Sequence, residues 1–192
     1  MKQMGVVAVY PKPRTTQPCD LHKKYPYLLR NLSIDRPNQV WCMDITYLPM
    51  RGGFIYLCAV MDWYSRCVLA WRISNSMDSS FCLEAVEEAL LRGKPEIFNT
   101  DQGVQFTCKE FTALLEGQGI RISMDGKGRW MDNVFIERLW RSVKYELVYL
   151  KEFATPSHLY KELDKYFRYY NQQRPHQALD FCTPQERYRV CA

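Results

Sequence analysis

Three carboxylates stand out by where they lie in the chain. Asp44 interrupts the strand-forming run Val40-Trp41-Cys42-Met43-Asp44-Ile45-Thr46-Tyr47, where a charge is costly unless something satisfies or uses it. Asp101 follows the apolar pair Ile97-Phe98 in Asn99-Thr100-Asp101-Gln102-Gly103, a strand end turning into a polar loop closed by glycine. Glu137 comes after a further 35 residues, one turn into a helix predicted to begin near Asp132-Asn133. Oxygen donors brought together from distant parts of a chain suit a hard divalent cation such as Mg2+, which needs few carboxylates and completes its shell with water and phosphate. Taken singly, each has a plainer reading. Asp44 fits a buried carboxylate held by backbone donors, Asp101 a turn residue, and Glu137 a solvated helix residue paired with Arg141. The spacing shows only that the three could converge.

The elements that must position them are legible as patterns. Asp44 lies in the first of three predicted antiparallel strands, the others being the apolar runs Phe54 to Trp63 and Cys67 to Ser74 joined by Tyr64-Ser65-Arg66. Ser79-Ser80 is placed to cap a helix running to Leu91, with Phe81, Ala85, Ala89 and Leu90 inward and Gly93 beyond its end. Ile97-Phe98 opens a fourth strand, Lys109 to Gln118 a second helix, and Ile120 to Met124 a fifth strand. In the next helix, Asn133, Glu137, Arg141 and Lys144 share a polar face, while Ile136, Trp140, Val143, Leu147 and Leu150 form an apolar stripe at the same spacing. Thr155-Pro156 is an N-cap followed by proline at the first helical position, opening a helix to about Asn171 with Leu159, Leu163, Tyr166, Phe167 and Tyr170 inward. Thr183-Pro184 begins a last short helix. The result is an α/β chain with a mixed five-stranded sheet flanked by helices.

The motifs Trp41-Cys42-Met43-Asp44-Ile45-Thr46-Tyr47, Asn99-Thr100-Asp101-Gln102-Gly103-Val104-Gln105-Phe106 and Asp132-Asn133 through Glu137 to Lys144 resemble the catalytic core of retroviral-integrase-like transposases. More narrowly the chain resembles the insertion-sequence-three family of that DDE superfamily, nearly end to end; Tyr170-Asn171, Arg174-Pro175-His176, Leu179 and Thr183-Pro184 match as well. The resemblance implies a ribonuclease-H-like fold and a DNA strand transferase that cuts insertion-sequence ends and joins them to target DNA. It implies two Mg2+ or Mn2+ ions per active site, Asp44 bridging both and Asp101 and Glu137 each holding one. Lys144 matches a basic position that contacts the element's end, and Asn133, Arg141, Lys127 and Arg129 are further candidate DNA contacts. Without the motif, Lys144 would read as a surface lysine. Val104 departs from the small polar residue frequent in relatives, which bears on local phosphate contact rather than on the metals.

Three segments are expected: a basic N-terminal arm over 1–36, the integrase-like core over 37–150 and a helical extension over 151–192. Residues 1–40 hold seven Lys or Arg against two acidic residues, which accounts for the whole net charge of +5 and leaves nineteen of each sign in the rest. Such an arm suits a polyanionic partner, since Lys and Arg displace counterions from phosphates; a merely solvated tail is the alternative. The fragment Met4 to Thr15 resembles the link that follows an upstream helical DNA-binding region in the family; the resemblance implies as partners DNA (element ends and target), further copies of the chain in a homo-oligomer on DNA and an upstream-frame DNA-binding protein. A second function fits the same residues: a truncated remnant that binds DNA or subunits without transposing, acting as an inhibitor. A ribonuclease-H-type or junction nuclease is disfavoured by the 35-residue interval and Lys144.

No apolar run approaches membrane-helix length and the start lacks a signal-peptide core, so a bacterial, cytoplasmic, nucleoid-associated protein without a membrane partner is expected. The eight cysteines are scattered singly with no Cys-x-x-Cys pair and read as reduced core residues rather than zinc ligands. Two rival carboxylates are assigned to structure: Asp62 to fixing the second hairpin and Asp132 to capping the catalytic helix.

Overall fold

A computed structural model of the 192-residue chain describes residues 24–126 and 133–189. Its centre is the expected five-stranded sheet, in the order β3-β2-β1-β4-β5. β1 (Val40–Met50), β2 (Gly53–Asp62) and β3 (Val68–Ser74) form an antiparallel meander, and β4 (Ile97–Thr100) and β5 (Arg121–Met124) add to β1 in parallel. β1 is thus central, and its side chains alternate between two buried faces. Trp41 and Met43 point into one core, packed by α1 (Ser80–Leu90) and α3 (Lys109–Gly117). Cys42 and Leu48 point into the other, filled by α4 (Val134–Glu146) and α5 (Pro156–Gln172). With both faces covered, β1 needs an almost continuous apolar run, and Asp44 is the exception to it.

α4 and α5 form as their patterns predict. Ile136, Trp140 and Val143 are buried, with Leu139 filling the stripe between them. Thr155 caps α5 through its side-chain oxygen, which accepts from the His158 amide at 3.2 Å, and all five predicted inward residues of α5 are buried. α4 stops earlier than the apolar spacing suggests: Leu147 leaves helical geometry, a short 3-10 turn follows over Val148–Leu150, and Leu150 is 71% exposed. Leu147 itself remains buried, so the core is closed before Leu150 and nothing is left for that side chain to pack against.

The N-terminus of α1 also differs from expectation. Ser79 makes no side-chain cap; Asp78 takes that role, its Oδ1 accepting from the Ser80 amide at 3.0 Å. A short helix α2 (Val104–Thr107), not anticipated from the sequence, sits between β4 and α3, where Thr107 Oγ1 donates back to the Gly103 carbonyl. α6 (Pro184–Arg189) closes the chain under a reciprocal cap between Thr183 and Glu186, and its Tyr188 hydroxyl donates to Asn38 Oδ1 at 2.8 Å, at the entry to β1. The described part of the N-terminal arm lies on the core, where Leu29 is buried against Val40, Trp63 and Ile97 and the Leu28 amide donates to Ser123 Oγ at 3.0 Å.

Candidate active site

The parallel pairing of β1 with β4 decides where the two aspartates lie. The register runs Val40 with Ile97, Trp41 with Phe98 and Cys42 with Asn99. Two residues past the last pair on each strand stand Asp44 and Asp101, on the face that α4 covers because side-chain direction repeats every second residue. The same rule carries across to β5: Asn99 pairs with Ser123, and two residues further stands Asp125. Asp125 is buried, and Asn99 Nδ2 donates to its Oδ1 at 2.9 Å. Asn99 Oδ1 has no hydrogen-bond partner among the described residues.

Asp44 is fixed by two donors. Its Oδ1 accepts from the Ile45 amide at 2.8 Å and its Oδ2 from the Trp140 indole nitrogen at 2.9 Å. Trp140 therefore ties α4 to β1 as well as filling the core. Burial pushes the Asp44 carboxyl up to about 6; the Trp140 and Ile45 bonds oppose that shift, and the charges of Asp101 and Glu137 add to it. Asp44 thus lies within the field of both other acids. Asp101 is exposed at the strand end, its Oδ1 accepting from the Gly103 amide at 2.8 Å. A Cβ at position 103 would stand 2.9 Å from that oxygen, so glycine here allows the backbone to close on the carboxylate itself. Glu137 is exposed on the first turn of α4.

The donor set has the chemistry a divalent ion requires, with hard oxygens and no basic residue paired to Asp44 among the described residues, and the mutual repulsion of the three acids is what a cation would relieve. Among the described residues no three His, Cys, Asp or Glu side chains stand close enough together to enclose an ion.

The other candidates fall as follows. Lys144 sits with its ammonium 5.1 Å from the ring centre of Tyr47, three residues beyond Asp44 on β1. Arg141 is exposed above the Tyr145 ring. Asn133 occupies the N-cap position of α4 and is buried without using its side chain as a cap, its Oδ1 unpartnered among the described residues. Lys127, Arg129 and Asp132 lie outside the described residues. Val104 is half exposed beside the Asp101 turn. Asp62 has the structural place assigned to it: fully buried, it accepts from the Asn38 and Ser65 amides, each at 2.8 Å, and from the Ser65 hydroxyl at 2.6 Å. Sequence reasoning passed over the polar uses of Trp140, Asn99 and Asp125. Trp140 sits on the core stripe, so its apolar role masked its N–H.

The Asp44 environment carries a pH prediction. A carboxyl whose folded value is raised binds its proton more tightly when folded, so stability falls as pH rises from the ordinary aspartate range toward 6, and the penalty is complete above that. Without divalent metal, Asp44→Asn should therefore melt a few degrees above the parent at pH 7.5, about 1 to 3 kcal/mol at 1.36 kcal/mol per pK unit. The difference should shrink toward pH 4. Paired melting curves across that range check it; a constant difference would show that burial of the charge is not the cause.

A ribonuclease-H-like sheet with an aspartate in its central strand, a second past the end of the adjacent parallel strand and a glutamate on the covering helix is the architecture of an integrase-type core. The sequence comparisons agree. Residues 34–129, half of the chain, match the family "Integrase core domain", and a second family of the same description matches residues 118–184. The chain belongs to the integrase core domain family. Its relatives there are transposases of insertion sequences: it is 33% identical over 154 residues to the transposase for insertion sequence element IS904 of Lactococcus lactis subsp. lactis, covering 78% of this chain and 61% of that one. It is 32% identical over 154 residues to transposase InsF for insertion sequence IS3A of Escherichia coli, covering 78% and 54%. The chain thus spans little more than half the length of these relatives. The fold matches the integrase catalytic core of HTLV-2, solved in complex with magnesium, at a TM-score of 0.60 and 22% identity over 80% of this chain and 97% of that one. It also matches a chain of the simian T-cell lymphotropic virus intasome, solved in complex with PP2A regulatory subunit B56 gamma, at a TM-score of 0.70 and 18% identity, covering 89% and 60%. Among the described residues no helix is long and apolar enough to cross a membrane.

Proposed function

We propose that this chain is the catalytic core of a DDE transposase that cuts DNA at insertion-sequence ends and joins the freed 3′-hydroxyls to target DNA. The observation that carries the reading is Asp44 within β1 and Asp101 just past the end of the neighbouring β4, in the same register, with Glu137 on the helix that Trp140 anchors to Asp44. In-line displacement at phosphorus builds negative charge on the attacking and leaving oxygens together, and two bound divalent ions, Mg2+ or Mn2+, would supply the opposing charge. Asp44, Asp101 and Glu137 would hold them. The residues around these acids do the positioning. The Trp140 indole and the Ile45 amide keep Asp44 at a fixed angle and favour its ionised form, while the Gly103 amide fixes the angle of Asp101. Glu137, exposed and on the first helical turn, is free to move as substrate and cation arrive.

Lys144 follows Glu137 by seven residues, close to two helical turns, so both lie on the flank of α4 that faces β1. Its ammonium over the Tyr47 ring is placed beside the acids to meet the end DNA. Lys144→Ala should weaken joining of an end-mimicking duplex about tenfold, the loss of one phosphate contact of about 1.4 kcal/mol, while metal-induced stabilisation stays as in the parent. Joining assays on end and scrambled duplexes decide this; identical rates before and after the change would return Lys144 to the surface. In the cell, the reading places the chain in the bacterial cytoplasm on nucleoid DNA, as a homo-oligomer on element ends, with an upstream-frame protein supplying sequence recognition.

A further inference from the structure

On the side of α4 away from Trp140 lies a cavity of about 610 Å3 whose lining includes Arg66, Phe135, Arg138, Arg141, Arg174 and His176, and no Asp or Glu. At about 100° per residue, Phe135, Arg138 and Ser142 lie opposite Trp140 around the helix axis, and Arg141 stands between them and Glu137. Four arginines therefore converge where the chain leaving α5 folds back along α4. Arg174 is committed: its guanidinium donates to both oxygens of Glu146, at 2.7 and 3.1 Å, and forms one wall. His176 is packed edge-on against Tyr170, ring centres 4.8 Å apart, and burial with the neighbouring Arg174 pushes it down to about 4, so it is neutral at physiological pH and can donate or accept but adds no charge.

Arg66 is the telling residue. Its guanidinium carbon lies 3.2 Å above the Phe135 ring, and among the described residues the side chain has no hydrogen bond or ion pair. It is half-buried and still charged: burial lowers its pKa only to about 10, against the charge of Asp62, which raises it. Its backbone is left-handed, with φ of 64°, a conformation that costs a non-glycine residue roughly 1 kcal/mol and that Gly or Asn would adopt more readily. A half-buried cation stacked on an aromatic ring, in the field of Asp62 but bonded to no acid among the described residues and at a strained turn position, is placed to bind an anion.

We propose that this cavity is a second phosphate site, in which Arg66, Arg138 and Arg141 take a backbone phosphate of the same DNA whose reacting phosphate lies beside Asp44 and Asp101. The proposal rests on the reading that the chain acts on DNA. Guanidinium groups suit the task because their planar forks meet phosphate oxygens in pairs.

The test is binding of a short labelled duplex to the full chain, in EDTA so that no cleavage is needed, over a series of salt concentrations. Arg138→Gln and Arg66→Gln should each reduce the log-log salt slope by about 1, the share of one phosphate contact. Ser142→Glu, which sets a negative charge on a helical position inside the cavity, should weaken binding about tenfold or more. Arg121→Gln, which removes an equal charge from an exposed site on β5, should leave the slope close to that of the parent. Melting curves identify any variant that fails to fold, and Arg138, exposed on α4, keeps the test valid if Arg66 proves essential to the turn. Equal slopes for Arg138→Gln, Arg121→Gln and the parent overturn the proposal. So does tighter, Arg138-dependent binding of an RNA duplex. Because catalysis is not read out, this failure is separate from failure of the carboxylate assignment, which would appear as cleavage by Glu137→Gln.

Discussion

Glu137→Gln keeps its melting temperature and loses metal-dependent cleavage of an end-mimicking duplex by on the order of 10³-fold or more, at 1.36 kcal/mol for each factor of ten. The fold should not notice the change, because Glu137 is exposed and makes no hydrogen bond within the described part of the protein. Asp44→Asn and Asp101→Asn should show the same loss. Asp44→Asn should be inactive and more stable than the parent at neutral pH, since the charge it removes is buried and pressed by two like charges. That pairing of lost activity with gained stability is the mark of an acid kept for function. Single-turnover cleavage of labelled DNA, with Mn2+ alongside Mg2+, measures the first effect. Parental rates in Glu137→Gln would remove it from the site.

Asp62→Ala should behave in the opposite way, with a loss of roughly 3 to 5 kcal/mol in stability, the range for breaking a buried charged network. Asp62 is as buried as any residue in the sheet, and burial raises its carboxyl despite the donors around it. Its worth therefore lies less in its charge than in what it satisfies: the Asn38 and Ser65 amides and the Ser65 hydroxyl, all stranded if the carboxylate goes. At about 2 to 4 °C per kcal/mol for a chain of this size, the melting temperature should drop by about 10 °C. Below its own melting range the variant should still cleave with metal present. Urea or thermal unfolding of Asp62→Ala and Asp62→Asn beside the parent tests this; a variant as stable as the parent but catalytically dead would move Asp62 into the active site.

The contrast between these carboxylates also marks how far the sequence could be read. Asp44 and Asp101 were visible because one interrupts and the other ends a strand pattern, and the five-stranded mixed sheet was legible in strand runs and helix periods that agree with one another, although its strand order was not. Asp62 was assigned to the hairpin from its place beside Tyr64-Ser65-Arg66, and the three hydrogen bonds are the physical content of that assignment. Trp140 was read only as core, since a 3.6-residue period reports which side is buried and not where an indole N–H points. Leu150 was placed in the core because the period continued, but the period cannot show where the neighbouring layers end. The arginine cavity stayed hidden for a similar reason. Residues 41–192 carry no net charge, so the core looked indifferent to DNA, yet Arg66, Arg138, Arg141 and Arg174 come from three separate segments and meet only in the fold.

The ions themselves provide the most direct test. Crystals of the chain soaked in MnCl2 and measured for anomalous scattering should show a Mn2+ peak at about 2.1 to 2.2 Å from carboxylate oxygens of both Asp44 and Asp101, with Glu137 drawn toward it, and no peak in crystals of Asp44→Asn. A chain that takes up Mn2+ elsewhere, or that leaves the space between Asp44 and Asp101 without a peak at saturating metal, would contradict the assignment of these three acids as the metal-holding centre of a transposase core.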